Sequence, residues 1–379
     1  MKALIAALVL AACQNGSAKP PPPKHQPPVV PVAAPVASSQ DQGAAIYSKL
    51  CSQCHGADAK GYKSDHAPSL INPTFLASAT DAFISKSIAL GRPGTAMAGY
   101  SKQVGGPLDD AAIASITAWL RAQGTPAQPL PAIGPGDPVK GKDLYAVNCQ
   151  KCHGDAATRG EFVHLANPRF LDVATDSFIA YAIVHGRPGT PMEAFGTKLS
   201  DTSLASIVAY VRSFATPNAA QATPQELAPP TGKEPLFVNP TGKPPTGFKL
   251  TADPGKPPRY VSVDQVKKAL DEKRKMVIID ARPPSDWMRV HITGAVSIPY
   301  FDMKRLDQIP KDAWVIAYCA CPHHLSGIVA DELQKRGYPH ALVLDEGILE
   351  WHRRGYPVVA APGVTPPPKE PAMAPGTPR

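Results

Sequence analysis

Along this 379-residue chain the apolar positions change period. Up to residue 214 they recur at helical spacing. Ile113, Ile116, Trp119 and Leu120 share one helix face, and Leu204, Ile207, Tyr210 and Val211 share another built alike. From residue 260 to 360 the pattern becomes short apolar runs. Met276 to Ile279, Ala295 to Ile298, Trp314 to Tyr318 and His340 to Leu344 predict buried strands, with helices between them at 327–336 and 348–354. Ser262-Val263-Asp264-Gln265 has capping-box spacing and opens a helix with Val263, Val266 and Leu270 on one face. Alternating strands and helices predict a parallel α/β sheet. Between these regions the pattern fails. Residues 13–42, 124–136 and 215–259 are rich in Pro, Gly, Ala or Thr and read as linkers. Leu236, Phe237, Val238 and Phe248 are the apolar residues of the longest linker expected to dock on a neighbour, and residues 361–379 read as a disordered tail.

The helical part is a duplication. Gly43 and Tyr47 match Gly141 and Tyr145, Asn72-Pro73 matches Asn167-Pro168, and Asp81, Phe83 and Ile84 match Asp176, Phe178 and Ile179. Gly91-Arg92-Pro93-Gly94-Thr95-Ala96-Met97 matches Gly186-Arg187-Pro188-Gly189-Thr190-Pro191-Met192. The two units, 43–123 and 137–214, are small enough to need a staple.

Each unit holds that staple near its start: Cys51-Ser52-Gln53-Cys54-His55 and Cys149-Gln150-Lys151-Cys152-His153. C-x-x-C-H attaches c-type haem. Two thiols at this spacing reach the two vinyl groups on one porphyrin edge, and the following histidine ligates the iron. Two covalent haem c groups are therefore expected, on Cys51/Cys54 with His55 and on Cys149/Cys152 with His153. Met97 and Met192 are the only methionines between residues 2 and 275, one per unit.

The two units resemble class I cytochromes c with a G-R-P-G-T-x-M loop. The resemblance implies all-α domains in which Met97 and Met192 are the distal iron ligands, an arrangement that favours ferrous iron. It also implies that the carbonyl of Pro68 orients His55; in the second unit Pro168 matches only loosely. His66 and His164 are the rival distal ligands and read as exposed loop residues. Partner redox proteins follow from this family, with Lys49, Lys60, Lys63 and Lys86 available to steer an acidic one.

Ala3 to Leu10 is an apolar run too short to span a bilayer. Leu10-Ala11-Ala12-Cys13 resembles a bacterial lipobox. It implies a signal peptide over 1–12, acylated Cys13 as lipid anchor, and an extracytoplasmic protein, on the outer membrane where the host has one. Twenty residues of polyproline-type linker at about 3.1 Å each would hold the first haem unit up to ~60 Å from that anchor. Of seven cysteines, four serve haem and one serves lipid, which leaves Cys319 and Cys321. The formal charge of +8 lies mostly in leader, linkers and tail, and no basic face with interleaved aromatics predicts nucleic-acid binding.

Cys319 ends the predicted strand over Trp314 to Tyr318, and a loop leads from it to a helix from Gly327. That position, at a strand's carboxyl end beside a helix N-terminus, activates thiols. Residues 260–360 resemble rhodanese-like domains. Asp280-Ala281-Arg282 is similar to the family's D-x-R, His291-Ile292-Thr293-Gly294-Ala295 to H-I-x-G-A, and Trp351 with Gly355-Tyr356-Pro357 to its closing motif. The resemblance implies a persulfide on Cys319, with Cys321, His323, His324, Asp280 and Arg282 as further candidate catalytic residues and a small sulfur compound or persulfide as substrate. The loop Cys319-Ala320-Cys321-Pro322-His323-His324-Leu325-Ser326 lacks the family's usual glycine and arginine, so thiosulfate is the less expected donor. Cys321 as a resolving thiol and a soft-metal site on this loop are alternatives.

The expected architecture is thus two all-α class I cytochrome c domains followed by an α/β rhodanese-like domain with a parallel sheet. Three functions fit it: an electron carrier with a sulfur-binding module, a sulfur oxidoreductase with haem as electron exit, and a carrier with a catalytically silent rhodanese fold.

Overall fold

A computed structural model describes residues 39–61, 67–215, 226–320 and 323–368. Cys13, His66 and Cys321 lie outside the described residues.

The first helical unit comprises α1 (Ser39–Leu50), α2 (Ser52–His55), α3 (Pro73–Ser78), α4 (Asp81–Leu90) and α5 (Asp110–Ala122). The second repeats it as α6 (Pro138–Asn148), α7 (Gln150–His153), α8 (Pro168–Val173), α9 (Asp176–His185) and α10 (Asp201–Ser213). Matched residues start matched helices. Asn72 and Asn167 accept from the first backbone N–H groups of α3 and α8, each with Pro at the next position, and Thr80 and Thr175 cap α4 and α9. The terminal helices of each unit cross closely at a glycine. A Cβ on Gly43 would lie 2.1 Å from the Ser115 carbonyl oxygen, and one on Gly141 1.9 Å from that of Ser206. Beside these crossings Tyr47, Ile116 and Leu120, or Tyr145, Ile207 and Val211, form the buried core.

Arg121 and Arg212 are a matched pair that sequence reasoning missed. Each leaves the last turn of its unit's final helix and closes the unit. Arg121 donates to Asp81 at 2.7 Å, to the Leu76 carbonyl at 2.6 Å and to that of Ala79. Arg212 does the same with Asp176, Leu171 and Ala174.

The two units meet about a pseudo-two-fold axis. Asn72 Nδ2 donates to the Pro188 carbonyl at 2.9 Å, and Asn167 Nδ2 donates to the Pro93 carbonyl at 2.8 Å. Each cap thus uses its oxygen within its own helix and its amide nitrogen across the interface. Phe83 stacks on Phe178 with centroids 4.6 Å apart. Residue i meeting j while the counterpart of j meets that of i is the mark of an isologous interface. Here it sets the two methionine-bearing loops against opposite units.

The C-terminal region contains β1 (Tyr260–Val261), α11 (Val263–Asp271), β2 (Val277–Asp280), α12 (Pro284–Trp287), β3 (Val290–Ile292), β4 (Val296–Ser297), β5 (Val315–Tyr318), α13 (His324–Lys335), β6 (Ala341–Leu344), α14 (Gly347–Arg353) and β7 (Val358–Ala360). The main sheet is parallel in the order β1-β6-β5-β2-β4. The strands β2, β5 and β6 are buried along their whole length, which explains their continuous apolar runs. Short β3 and β7 pair antiparallel; neither was legible as a strand, and β1 is two residues long.

Much of the third linker lies on this domain. Val238 bridges Met276, Phe248 meets Trp314 edge-on, Gln265 exchanges hydrogen bonds with the backbone of Lys249, and Arg305 holds Glu234 at 2.7 Å. Among the described residues no helix is long and apolar enough to cross a membrane.

Candidate functional site

In each helical unit the C-x-x-C-H motif begins as the first helix ends. The one-turn helices α2 and α7 carry the second cysteine and the histidine. A buried tyrosine one turn earlier fastens the far side: Tyr47 donates to the Gly56 carbonyl at 2.7 Å, and Tyr145 to that of Gly154 at 2.8 Å. Gly56 and Gly154 hold φ of 81° and 71°, so the chain turns away directly after the histidine.

Both histidines are set for ligation. His55 Nδ1 lies 2.9 Å from the Pro68 carbonyl, and His153 Nδ1 lies 2.8 Å from the Val163 carbonyl. A carbonyl only accepts, so the proton sits on Nδ1 and Nε2 is left as the electron-pair donor to iron. Burial holds both imidazoles below the usual histidine range, which keeps them in the neutral form that binds metal. Pro68 thus stands where the resemblance implied. The second unit uses Val163 and not Pro168, because Pro168 is already committed as the first residue of α8.

The methionine loops are locked identically. Arg92 N–H donates to the Met97 carbonyl at 2.7 Å, and Met97 N–H to Thr95 Oγ1 at 3.1 Å. Arg187, Met192 and Thr190 repeat this at 2.8 and 3.2 Å. The guanidinium groups of Arg92 and Arg187 lie over Phe83 and Phe178. His164 is half-buried and not exposed as expected: its Nε2 meets the Asp155 carbonyl at 2.8 Å. The thiols of Cys51, Cys54, Cys149 and Cys152 are in no disulfide. Two thiols, a tautomer-locked histidine and a fixed methionine loop are the donor set of covalent haem c, and the residues fit it.

At the carboxyl end of β5, Cys319 is 1% exposed, and its Sγ lies 3.3 Å from Ser326 Oγ. The helix after it starts at His324, three residues before the expected Gly327. His323 takes the left-handed conformation, φ 69°, where the family's glycine would be at ease. It is held there on two sides: the ring stacks on Tyr260 at 3.7 Å, and Nε2 lies 2.7 Å from Asp345 Oδ1. Ser326 is thereby drawn into the first turn of α13, where helix geometry leaves backbone N–H groups to receive an anion. Gly347, φ 68°, closes the opposite side; a Cβ there would sit 2.5 Å from the Cys319 carbonyl oxygen.

The remaining candidates separate. Asp280 and Arg282, expected among the catalytic candidates, bind each other. They form a fully buried bidentate pair at 2.9 and 2.7 Å; Tyr318 donates to Asp280 at 2.8 Å and Arg282 to the Val290 carbonyl at 2.7 Å. A charge pair this deep is satisfied within the protein and braces β2, β5 and β3. His323 and His324 diverge, one to Tyr260 and Asp345, the other with Nδ1 4.0 Å from Cys54 Sγ of the first haem motif. Among the described residues no three His, Cys, Asp or Glu side chains gather to hold a metal ion.

The His324–Cys54 approach belongs to a wider joint. Tyr300 Oη donates to the Leu50 carbonyl at 2.8 Å and lies 3.2 Å from Tyr100 Oη, and Ser285 Oγ donates to the Gly99 carbonyl at 2.5 Å. Leu50 directly precedes Cys51, so the joint is built on the haem-binding segment itself. Sequence reasoning missed Tyr300 and Ser285, which lie in no local motif, and gave Ser326 of the loop no role.

Family models match in three places: cytochrome c over residues 40–123, cytochrome c oxidase cbb3-type subunit III over 136–211, and the rhodanese-like domain over 262–354. Among curated relatives, the cbb3-type cytochrome c oxidase subunit CcoP of Azospirillum sp. is 27% identical over 191 residues, 45% of this chain and 61% of that protein. A sulfurtransferase of Allochromatium vinosum is 29% identical over 104 residues, 27% of this chain and 96% of that protein. A solved chain of the Kuenenia stuttgartiensis reducing HAO-like protein complex is 21% identical, covering 46% of this chain and 96% of that one with a TM-score of 0.33. The chain spans about three fifths of the length of the oxidase-subunit relatives it matches. The chain thus carries cytochrome c domains, which imply covalent haem c, followed by a C-terminal rhodanese-like domain.

Proposed function

We propose that this chain is an extracytoplasmic electron carrier with two haems and a sulfur-handling C-terminal domain. Electron transfer is the work of cytochrome c domains, and sulfur transfer that of rhodanese-like domains. The observation that carries the reading is the proximal histidine built twice, its Nδ1 locked by a backbone carbonyl in both units.

In this reading Cys51 and Cys54 would hold one haem and Cys149 and Cys152 the other, and His55 with Met97, and His153 with Met192, would be the residues that ligate iron. Bound haem supplies one-electron chemistry. The protein's own part is to fix the imidazole tautomer through Pro68 and Val163, to hold the methionines through Thr95 and Thr190, and to exclude water with the core around Tyr47 and Tyr145. Haem content per chain and intact mass test it. Two haems are expected, and one after both cysteines of either motif become Ser; a single haem in the unaltered chain overturns the reading.

On the C-terminal domain Cys319 carries sulfur as a persulfide, cradled by Ser326 and the first turn of α13. The absence of Arg and Lys from the loop 319–326 favours polysulfide or an organic persulfide over thiosulfate. Incubation with each donor and intact mass after alkylation tests this. One sulfur is expected on Cys319, absent in Cys319→Ser; if no donor loads it, the fold serves binding alone. Cys13 as an acylated anchor completes the reading. Recovery in a membrane fraction released by detergent but not by salt supports it, and unchanged fractionation of Cys13→Ala contradicts it.

A further inference from the structure

The sulfur loop and the first haem motif are far apart in the chain and touch in space. His324 opens α13, the helix whose Ser326 meets Cys319 Sγ, and its Nδ1 lies 4.0 Å from Cys54 Sγ. The helices α13 and α2 pack on each other. Tyr300 and Tyr100 converge on the carbonyl of Leu50, one residue before Cys51, and so fix the joint. Cys54 is a residue whose sulfur becomes part of the haem's thioether linkage. A contact on it is a contact on the edge of the redox group.

Two further features narrow the chemistry. Cys319 is nearly inaccessible, so a small sulfur species reaches it more readily than a bulky one. The loop offers no Arg or Lys for an oxyanion, which suits hydrosulfide.

We propose that Cys319 takes up sulfur oxidatively from hydrosulfide and that the electrons leave through the His324–Cys54 contact into the first cytochrome domain. The inference rests on the persulfide reading of Cys319. The Cys319 thiolate and hydrosulfide form one S–S bond; the product is the persulfide, one proton goes to water, and two electrons are released. The oxidant is c-type ferric haem, which takes one electron at a time, so one haem in each cytochrome domain is needed for the pair. The reciprocal contacts Asn72–Pro188 and Asn167–Pro93 hold the second domain against the first for that division.

The test uses the full chain with both haems oxidised, mixed with sodium sulfide without oxygen. Haem absorbance and intact mass after alkylation are read from the same sample, for the unaltered protein, Cys319→Ser and His324→Ala. Dithionite-reduced spectra verify that each variant's haem domains are intact. The expected result is one sulfur on Cys319 with two haems reduced per sulfur, loss of both in Cys319→Ser, and sulfur gain and haem reduction slowed together in His324→Ala. Equal haem reduction in Cys319→Ser means that sulfide reacts at the haems directly, and the inference falls. Sulfur gain without haem reduction, or unchanged rates in His324→Ala, also overturns it. An arm with an organic persulfide, which transfers sulfur without net oxidation, separates the two readings. Loading there with a failed sulfide arm leaves the persulfide reading standing and removes only the electron route; no loading in either arm removes both.

Discussion

The two cytochrome units share one plan and occupy different surroundings. In the first, His55 is 7% exposed, and the haem-binding segment carries Tyr300 and His324 from the rhodanese-like domain. In the second, His153 is half-buried, and Val147 and Val163 stand 84% and 40% exposed beside the motif. The carbonyls that orient the two histidines both come from exposed residues, Pro68 and Val163, so the inequality lies in the histidines and their neighbours. Duplication set the chemistry, and the neighbour then made the copies unequal: one faces the sulfur domain and the other faces outward.

The largest effect should come where the copies are the same. Gly43→Val and Gly141→Val each drive a side chain into the backbone of the crossing helix, at Ser115 and Ser206. Each should cost at least about 1–3 kcal/mol, the usual range for overpacking, and lower haem yield. Thermal unfolding followed by haem absorbance checks this, and equal losses in the two variants would support the shared plan. Arg121→Met and Arg212→Met come next. Each leaves two buried carbonyls short of a donor, at about 1–3 kcal/mol for an unsatisfied group. Denaturant midpoints should fall alike for both.

Smaller effects should separate the copies. Tyr300→Phe removes a hydrogen bond worth about 0.5–1.5 kcal/mol from the first unit alone. It should shift the spectrum or potential of one haem and leave the other, as redox titration would reveal; movement of both would contradict the inequality. A small hydrophilic reductant should reduce the haems in two phases, the faster belonging to the second unit, and stopped-flow traces of single-motif variants assign them. One phase in the full chain would mean that the exposure difference is without kinetic consequence.

How much was legible followed the range of the interaction. The haem motifs are chemistry written within five residues, and the repeat doubled the signal. Caps at Asn72, Thr80, Asn167 and Thr175 are local and matched, and the buried strands of the parallel sheet showed as apolar runs. Pro68 was reachable by family likeness, but Val163 was not, because a carbonyl has no side-chain signature. Arg121 and Arg212 are matched in sequence and were still missed, since their partners lie 36 to 45 residues earlier in the same unit. The start of α13 was misplaced because a histidine holds a left-handed turn with help from Tyr260 and Asp345, both remote in sequence. Asp280 and Arg282 showed as a motif, and only packing tells that these two brace the sheet.

The account turns on a sulfur site that faces one haem and not the other. The direct measurement is the low-temperature electron paramagnetic resonance spectrum of the oxidised full chain before and after an organic persulfide loads Cys319. The account predicts two low-spin ferric signals, of which only that assigned to the Cys51/Cys54 haem shifts, with no shift in Cys319→Ser. Movement of the Cys149/Cys152 signal, or of neither signal at full loading, would contradict it.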